Sequence, residues 1–216
     1  MKAIVVAGGD AAADDAAHLA DADLVIAADS GAAWLSGIGV RPDVVIGDMD
    51  SIDPGLLDRL AGDGATIERH EADKDQSDAE LAIERAVAAD AREVLILGAL
   101  GGQRVDHELA NLLLLADRRW EASWLAIVRG GTTVRALRGG QQLDLGGAEG
   151  DLVTLLAVAV EATGVRTEGL RFPLAGETLQ LGSSRGLSNQ IVHSPASVSL
   201  ERGTLLVIET RKEISG

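Results

Sequence analysis

The stretch Val44-Val45-Ile46-Gly47-Asp48-Met49-Asp50-Ser51 decides the fold of this chain. The apolar run reads as a buried strand. Glycine then permits a sharp turn, and two carboxylates follow at alternate positions. In extended chain, residues two apart point to the same side. Asp48 and Asp50 are therefore expected to reach toward one point just past a strand end. Lys74-Asp75-Gln76-Ser77-Asp78 echoes this further on, with two more carboxylates three residues apart, a lysine and a helix start. Mg²⁺ prefers oxygen ligands and keeps several waters, and phosphates commonly complete its shell. Asp48, Asp50, Asp75 and Asp78 beside Lys74 thus point to a metal-phosphate site. A plainer reading exists for each stretch alone. Asp and Ser after a strand are ordinary turn and cap residues, and Ser77-Asp78-Ala79-Glu80 fits a capping box. Both stretches within one α/β pattern favour function.

That pattern extends outward on both sides. Ala3 to Ala7, Leu24 to Ala28, Val44 to Ile46, Thr66 to Arg69, Val94 to Leu97 and Trp124 to Val128 read as strands. Helical stretches separate them: Ala11 to Ala20, the segment carrying Ala33, Trp34 and Leu35, the segment opened by Pro54, Ser77 to Ala89, and about Val105 to Ala116. Continuous apolar strands alternating with helices imply a parallel sheet covered on both faces. The polar clusters Asp10, Asp29-Ser30, Asp48/Asp50 and Gly101-Gly102 all follow strands. In open α/β sheets the ligand crevice lies outside those ends. After about Gly130 the helical period is lost. Thr132 to Leu137, Leu152 to Ala159, Gly164 to Thr167, Ser197 to Leu200 and Thr204 to Glu209 are short strand-like runs between Gly-rich turns. The expected architecture is α/β, a Rossmann-like parallel-sheet domain over residues 1–130 followed by an all-β sandwich domain over 131–216, with a tail of only the last few residues.

Composition narrows the function classes. The chain has 216 residues and a net charge of −15, which argues against nucleic acid or an anionic membrane as partner and suits a cationic one. It has no cysteine, so thiolate catalysis is excluded and a reducing compartment fits. The apolar run after Met1-Lys2 is too short for a signal peptide or a membrane span. A cytoplasmic protein is expected.

Gly98-Ala99-Leu100-Gly101-Gly102-Gln103-Arg104 sits between a strand and a helix. Glycines there let backbone N–H groups approach phosphate oxygens, and the helix start adds a positive field. Arg104 would add a bidentate charge contact. Asp106 and His107 follow at the helix start, where an acid is also a favourable dipole partner.

Taken together, these residues resemble the thiamine pyrophosphokinase family along nearly the whole chain. The resemblance rests on Asp29-Ser30-Gly31-Ala32, Arg41-Pro42-Asp43, Gly47-Asp48-Met49-Asp50-Ser51, Lys74-Asp75-Gln76-Ser77-Asp78, Gly101-Gly102-Gln103-Arg104-Val105-Asp106-His107 and Leu187-Ser188-Asn189-Gln190. This chain has Met49 where the family usually has Phe. Gln103 displaces Arg104 by one position, and Gln190 stands where many members have Glu. The resemblance implies ATP-dependent transfer of a diphosphate group to thiamine, with release of AMP, by a homodimer whose active site is shared between subunits. It implies Mg²⁺ held by Asp48, Asp50, Asp75 and Asp78, with Asp78 an option for orienting the thiamine hydroxyl. Nucleotide contacts would come from Asp29, Ser30, Gly31, Lys74, Gly101, Gly102, Arg104, Asp106 and His107. Gln76, Phe172, Ser188 and Asn189 would meet thiamine. Two alternatives are a pyrophosphokinase for another hydroxymethyl heterocycle, such as a pterin, and a non-catalytic nucleotide sensor.

Overall fold

The computed structural model describes residues 1–212. The expected tail at the last few residues lies outside them. The chain divides into two compact units, Met1–Gly130 and Gly131–Gly216.

The first unit alternates strands and helices: β1 (Lys2–Val6), β2 (Leu24–Ala28), α1 (Gly31–Gly37), β3 (Val44–Gly47), α2 (Pro54–Gly62), β4 (Thr66–Arg69), α3 (Asp78–Ala88), β5 (Glu93–Leu97), α4 (Val105–Leu114) and β6 (Trp124–Arg129). All its strand pairs are parallel, in the order β6-β5-β1-β2-β3-β4. The chain starts at β1, walks outward through β2, β3 and β4, then returns to the other side of β1. The winding direction therefore reverses between β1 and β5, which is where open α/β sheets leave a crevice.

Alternation explains the continuous apolar runs. Ile4, Val6, Val25, Ala27, Val45, Leu95 and Leu97 pack with Leu35 of α1 and Leu56, Leu57 and Leu60 of α2 in one buried cluster. The intervening residues Val5, Ile26, Ile46 and Ile96 are also buried, and α3 packs against β1, β2, β3 and β5. Asp53 accepts from Leu56 N–H ahead of Pro54, and Ser77 Oγ accepts from Glu80 N–H, one half of the expected capping box, while the Glu80 carboxylate accepts from Gln76 and Arg119 instead. One expected helix differs. Ala11 to Ala20 forms a 3-10 helix over Ala13–Leu19. Asp15, inside it, is almost fully buried and accepts the Ala12 and Gly130 N–H groups. Such local side-chain bonds compete with the α-helical ladder. α4 is unusual in having no buried residue, and it exposes Val105, Leu109 and Leu113 along one side.

The second unit is built from antiparallel strands: β7 (Thr132–Arg138), β8 (Gln141–Leu145), β9 (Leu152–Ala157), β10 (Glu161–Glu168), β11 (Ala175–Gln180), β12 (Asn189–Gln190), β13 (Ala196–Leu200) and β14 (Thr204–Thr210). Its described residues contain no helix. Strands β12-β9-β14-β7 are successive antiparallel neighbours, and β11-β10-β13-β8 make a separate antiparallel sheet. Leu137, Val153, Leu155, Leu205 and Val207 from the first group share one buried cluster with Leu145, Val165, Leu179 and Val198 from the second. The run expected from Leu152 to Ala159 stops at Ala157, and Val160 is left exposed.

Candidate functional site

At the carboxyl ends of the first unit's strands lies a cleft of about 380 Å³. Gly8 and Gly9 border it after β1, Asp29 and Ser30 after β2, and Asp48 after β3. Lys74, Gln76, Ser77 and Asp78 come from the loop that enters α3. Gly98, Gly101, Gly102, Gln103 and Arg104 follow β5, and His107 belongs to α4.

Register builds the acidic corner. Ala28 lies opposite Ile46 across the β2–β3 ladder, so the residues just beyond, Asp29 and Asp48, leave adjacent strand ends. Ligand oxygens of Asp29, Asp48 and Asp50 all lie within 4.8 Å of one another. Asp48 and Asp50 do converge, but not by the extended alternation expected. Met49 between them is left-handed, with φ +67°. Its side chain is buried in the core with Ile52 and Leu56. Sinking Met49 turns the chain back, and Asp50 N–H donates to Asp48 Oδ1 at 3.1 Å. Asp29 is left-handed as well, with φ +48°. Non-glycine residues in this region are uncommon and gather at functional sites. Gly47 is needed for a different reason. A Cβ there would crowd Asp78 Oδ1 at 3.1 Å and the Asp29 Cβ at 3.3 Å, on a backbone at φ +147° that L side chains rarely adopt.

These carboxylates are poorly compensated. Ser51 Oγ donates to Asp29 Oδ2, yet Asp29 Oδ1 is buried without a hydrogen-bond partner. Asp78 Oδ1 likewise makes no hydrogen bond, although Lys74 Nζ stands 2.8 Å away as an ion pair. The charge of Asp48, then its hydrogen bond, then desolvation, and then Asp29 and Asp78 hold the Asp50 carboxyl above its ordinary range. Clustered acids with orphaned oxygens suit a hard cation such as Mg²⁺.

The remaining expected residues divide. Gln76 borders the cleft and donates to Glu84 at 2.8 Å. Asp75 is exposed and belongs neither to the cleft lining nor to the group of three acids. Gly31 is the buried first residue of α1, where a Cβ would strike the Val6 carbonyl, and it is outside the cleft lining. Arg104 donates twice to Asp106, at 2.9 and 2.6 Å. This holds the Asp106 carboxyl well below the usual carboxylate range and raises the Arg104 guanidinium. Asp106 itself is outside the lining. Glu108 and Asn111 also border the cleft, and Asn111 donates to the Ala99 carbonyl at 2.9 Å. Neither was singled out from sequence. Their spacing from His107, one and four residues along the helix, was the available signal.

Phe172, Ser188 and Asn189 stand in the second unit. Asn189 is buried; its Oδ1 accepts from Phe172 N–H at 3.0 Å and its Nδ2 donates to the Phe172 carbonyl at 2.7 Å. Phe172 is exposed, with the Arg171 guanidinium over its ring. Ser188 is left-handed at φ +54°, and its N–H donates to Thr154 Oγ1.

The family model described as Thiamin pyrophosphokinase, catalytic domain, matches residues 16–124. The chain belongs to the thiamin pyrophosphokinase family. A second family model, Thiamin pyrophosphokinase, vitamin B1 binding domain, matches residues 141–205. Among relatives of this family, the thiamine pyrophosphokinase of Bacillus subtilis is 27% identical over 214 residues, covering 97% of this chain and 99% of the relative. Thiamine pyrophosphokinase 1 of Arabidopsis thaliana is 25% identical, covering 80% of this chain and 67% of its own. The crystal structure of the Bacillus subtilis protein superposes with a TM-score of 0.88 at 24% identity, over 98% of this chain and 100% of that one. The thiamin pyrophosphokinase of Candida albicans superposes with a TM-score of 0.82 at 14% identity, over 97% and 88%. At these identities the structural likeness speaks for the fold. No helix among the described residues is long and apolar enough to cross a membrane.

Proposed function

We propose that this chain is an enzyme that transfers a diphosphate group from ATP to the hydroxyethyl group of thiamine, giving thiamine diphosphate and AMP. The observation that carries the reading is the convergence of Asp29, Asp48 and the exposed Asp50 beside Asp78, at a cleft lined by Asp29, Asp48, Asp78, a glycine loop, Lys74 and Arg104. The family supports the acceptor, because a vitamin B1 binding model matches the second unit while nothing comparable favours a pterin. On this reading residues 1–130 form a Rossmann-like ATP-binding catalytic domain. Residues 131–216 form a β-sandwich that takes thiamine. The reaction belongs in the cytoplasm.

In such a transfer the thiamine hydroxyl attacks the β-phosphorus in line and AMP departs. Positioning and charge stabilisation supply most of the catalysis. Bound Mg²⁺ would neutralise charge on the transferring group. Asp29, Asp48 and Asp50 would hold it, with Asp78 orienting the thiamine hydroxyl or completing the ion's shell; Asp75, exposed, would act through water. Lys74 and Arg104 would meet phosphate oxygens, and backbone N–H groups of Gly101 and Gly102 would line the polyphosphate. Ser30 and His107 would flank the nucleotide. Phe172 and Ser188 would meet the thiamine rings, with Asn189 holding the Phe172 backbone for that contact. Gln76 would sit where the two substrates join.

Incubation with ATP, Mg²⁺ and thiamine, followed by mass detection, tests this directly. Thiamine diphosphate and AMP in equal amounts are expected; ADP as the nucleotide product, or turnover only with a pterin, sinks the reading. We also propose a homodimer with a shared active site, supported by the bare apolar side of α4. Mixed Asp50→Asn and Asn189→Ala chains, once subunit exchange is verified, should regain activity that neither has alone.

A further inference from the structure

Arg129 is a cation at the glycine loop that this mechanism leaves unused. It is the last residue of β6. A Cβ placed on Gly101 would fall 2.8 Å from Arg129 Cζ and 2.8 Å from Nη2, so the guanidinium lies directly against that glycine. Gly101 takes φ +82° and borders the cleft. The backbone beside Arg129 is firmly held. Asp15, 1% exposed, accepts Gly130 N–H on Oδ1 at 2.7 Å and Ala12 N–H on Oδ2 at 2.7 Å. A buried carboxylate satisfied by two backbone donors is costly to disturb, so the end of β6 is tied to the segment of residues 12–15.

The side chain, in contrast, is only loosely engaged. Its ion pair with Asp10 spans 3.7 Å, and the two side chains are 44% and 65% exposed. That separation is beyond hydrogen-bond reach, and solvent screens such pairs to little net worth. Lys74 and Arg104 stand closer to their acids, at 2.8 Å from Asp78 and 2.6 Å from Asp106. A nucleoside triphosphate brings more charge than one divalent ion cancels, into a chain whose net charge of −15 opposes it. Local cations must supply the difference. Arg129 exchanges the weakest pair of the three for a charge-assisted bond to phosphate.

We propose that Arg129, which lies against Gly101 but outside the cleft lining, is a further phosphate-binding residue, reaching the polyphosphate where it runs over the Gly101-Gly102 backbone. The inference rests on the ATP-dependent reading above. It makes Asp10 a competitor for the guanidinium, which separates it from a purely structural role. If Arg129 only ties the Asp10 loop to the Gly101 loop, losing either partner has the same effect.

The test is calorimetric titration of the full chain with ATP, and separately with tripolyphosphate, each with Mg²⁺. Arg129→Ala should raise the Kd for both ligands about tenfold and flatten the salt dependence, with Arg129→Lys recovering part of the loss. Asp10→Asn should leave the Kd unchanged or lower it. Should Arg129→Ala fail to fold by circular dichroism, Arg129→Gln carries the same comparison. Unchanged ATP and tripolyphosphate binding in the arginine variants overturns the proposal, and so does an Asp10→Asn loss equal to theirs. A wild-type chain that makes thiamine diphosphate while the arginine variants bind ATP normally overturns this inference alone. A wild-type chain that binds no ATP overturns it together with the functional reading.

Discussion

The acidic corner of the first unit and the buried polar groups of the second are treated in opposite ways. In the second, Glu209 is buried against Arg135 and also accepts the N–H groups of Gly146 and Gly147, at 2.8 and 3.1 Å. Asp151 accepts Ala148 N–H and Lys212 N–H at 2.9 Å each. Asn189 is bonded on both sides to the Phe172 backbone. These acids and amides pin loops to strands. In the first unit the acids at the β2 and β3 ends repel one another, and Asp29 Oδ1 and Asp78 Oδ1 are buried without a hydrogen bond. Breaking a buried, hydrogen-bonded charge pair is costly, and a buried carboxylate oxygen without a hydrogen bond costs stability unless something else binds it. The first arrangement is therefore what a presenting scaffold needs, and the second is what a binding cleft needs.

The largest effect that would break this contrast concerns catalysis. Asp50→Asn should lower turnover by about a hundredfold or more, the scale on which removal of a transition-state charge contact acts, while circular dichroism stays that of the wild type. Mass detection of thiamine diphosphate at limiting Mg²⁺ reads it. Full activity there would remove Asp50 from the metal site.

Stability should respond in the other unit. Glu209→Ala leaves Arg135 buried without its carboxylate and two loop N–H groups without an acceptor. The expected loss is about 3 kcal/mol, or roughly a 10 °C fall in Tm, seen by calorimetry. Asp29→Asn should act the other way round. It keeps an acceptor for Ser51 and removes one of the crowded negative charges, so Tm should change by less than about 2 °C. Mg²⁺ should then stabilise the variant less than it stabilises the wild type. A large loss of Tm in Asp29→Asn would mean that the acidic corner is structural after all.

How much of this contrast sequence could reveal depends on where the information sits. The parallel sheet was legible because strands buried on both faces must be apolar throughout, as in Val44-Val45-Ile46. The acids were legible because they follow those strands. Asp29 was expected at the nucleotide and not with Asp48 and Asp50, because their meeting is set by β2–β3 register, which no local pattern encodes. The left-handed turn at Met49 was hidden for another reason: glycine advertises positive φ, and a buried methionine does not. Strands β8 and β11 were missed because Gln141–Leu145 and Ala175–Gln180 are mostly polar and exposed, so neither shows an apolar run. Two-residue β12 is too short for any periodicity.

The smallest expected effect is the most diagnostic of charge crowding. Asp48 and its neighbours hold the Asp50 carboxyl above its ordinary range, so the folded chain keeps that proton to higher pH than the unfolded chain does. Stability from this group is fully present below the unfolded carboxylate pKa and is lost as pH rises through the folded one. Asp21, held low chiefly by its hydrogen bond from Lys2, works oppositely: its contribution is present above the unfolded pKa and is lost as pH falls through the folded one. The wild-type pH profile mixes both signs, but the difference between wild type and Asp50→Asn isolates the crowded site. Without metal, the wild type should lose Tm relative to the variant as pH rises just above the ordinary carboxylate range. Mg²⁺ at neutral pH should abolish that relative loss, because it binds the folded acids and adds stability by mass action. Parallel wild-type and Asp50→Asn profiles, with and without Mg²⁺, would show that the acids at the β2 and β3 ends are already compensated. The contrast between an uncompensated cleft and a compensated scaffold would then fail at its first term.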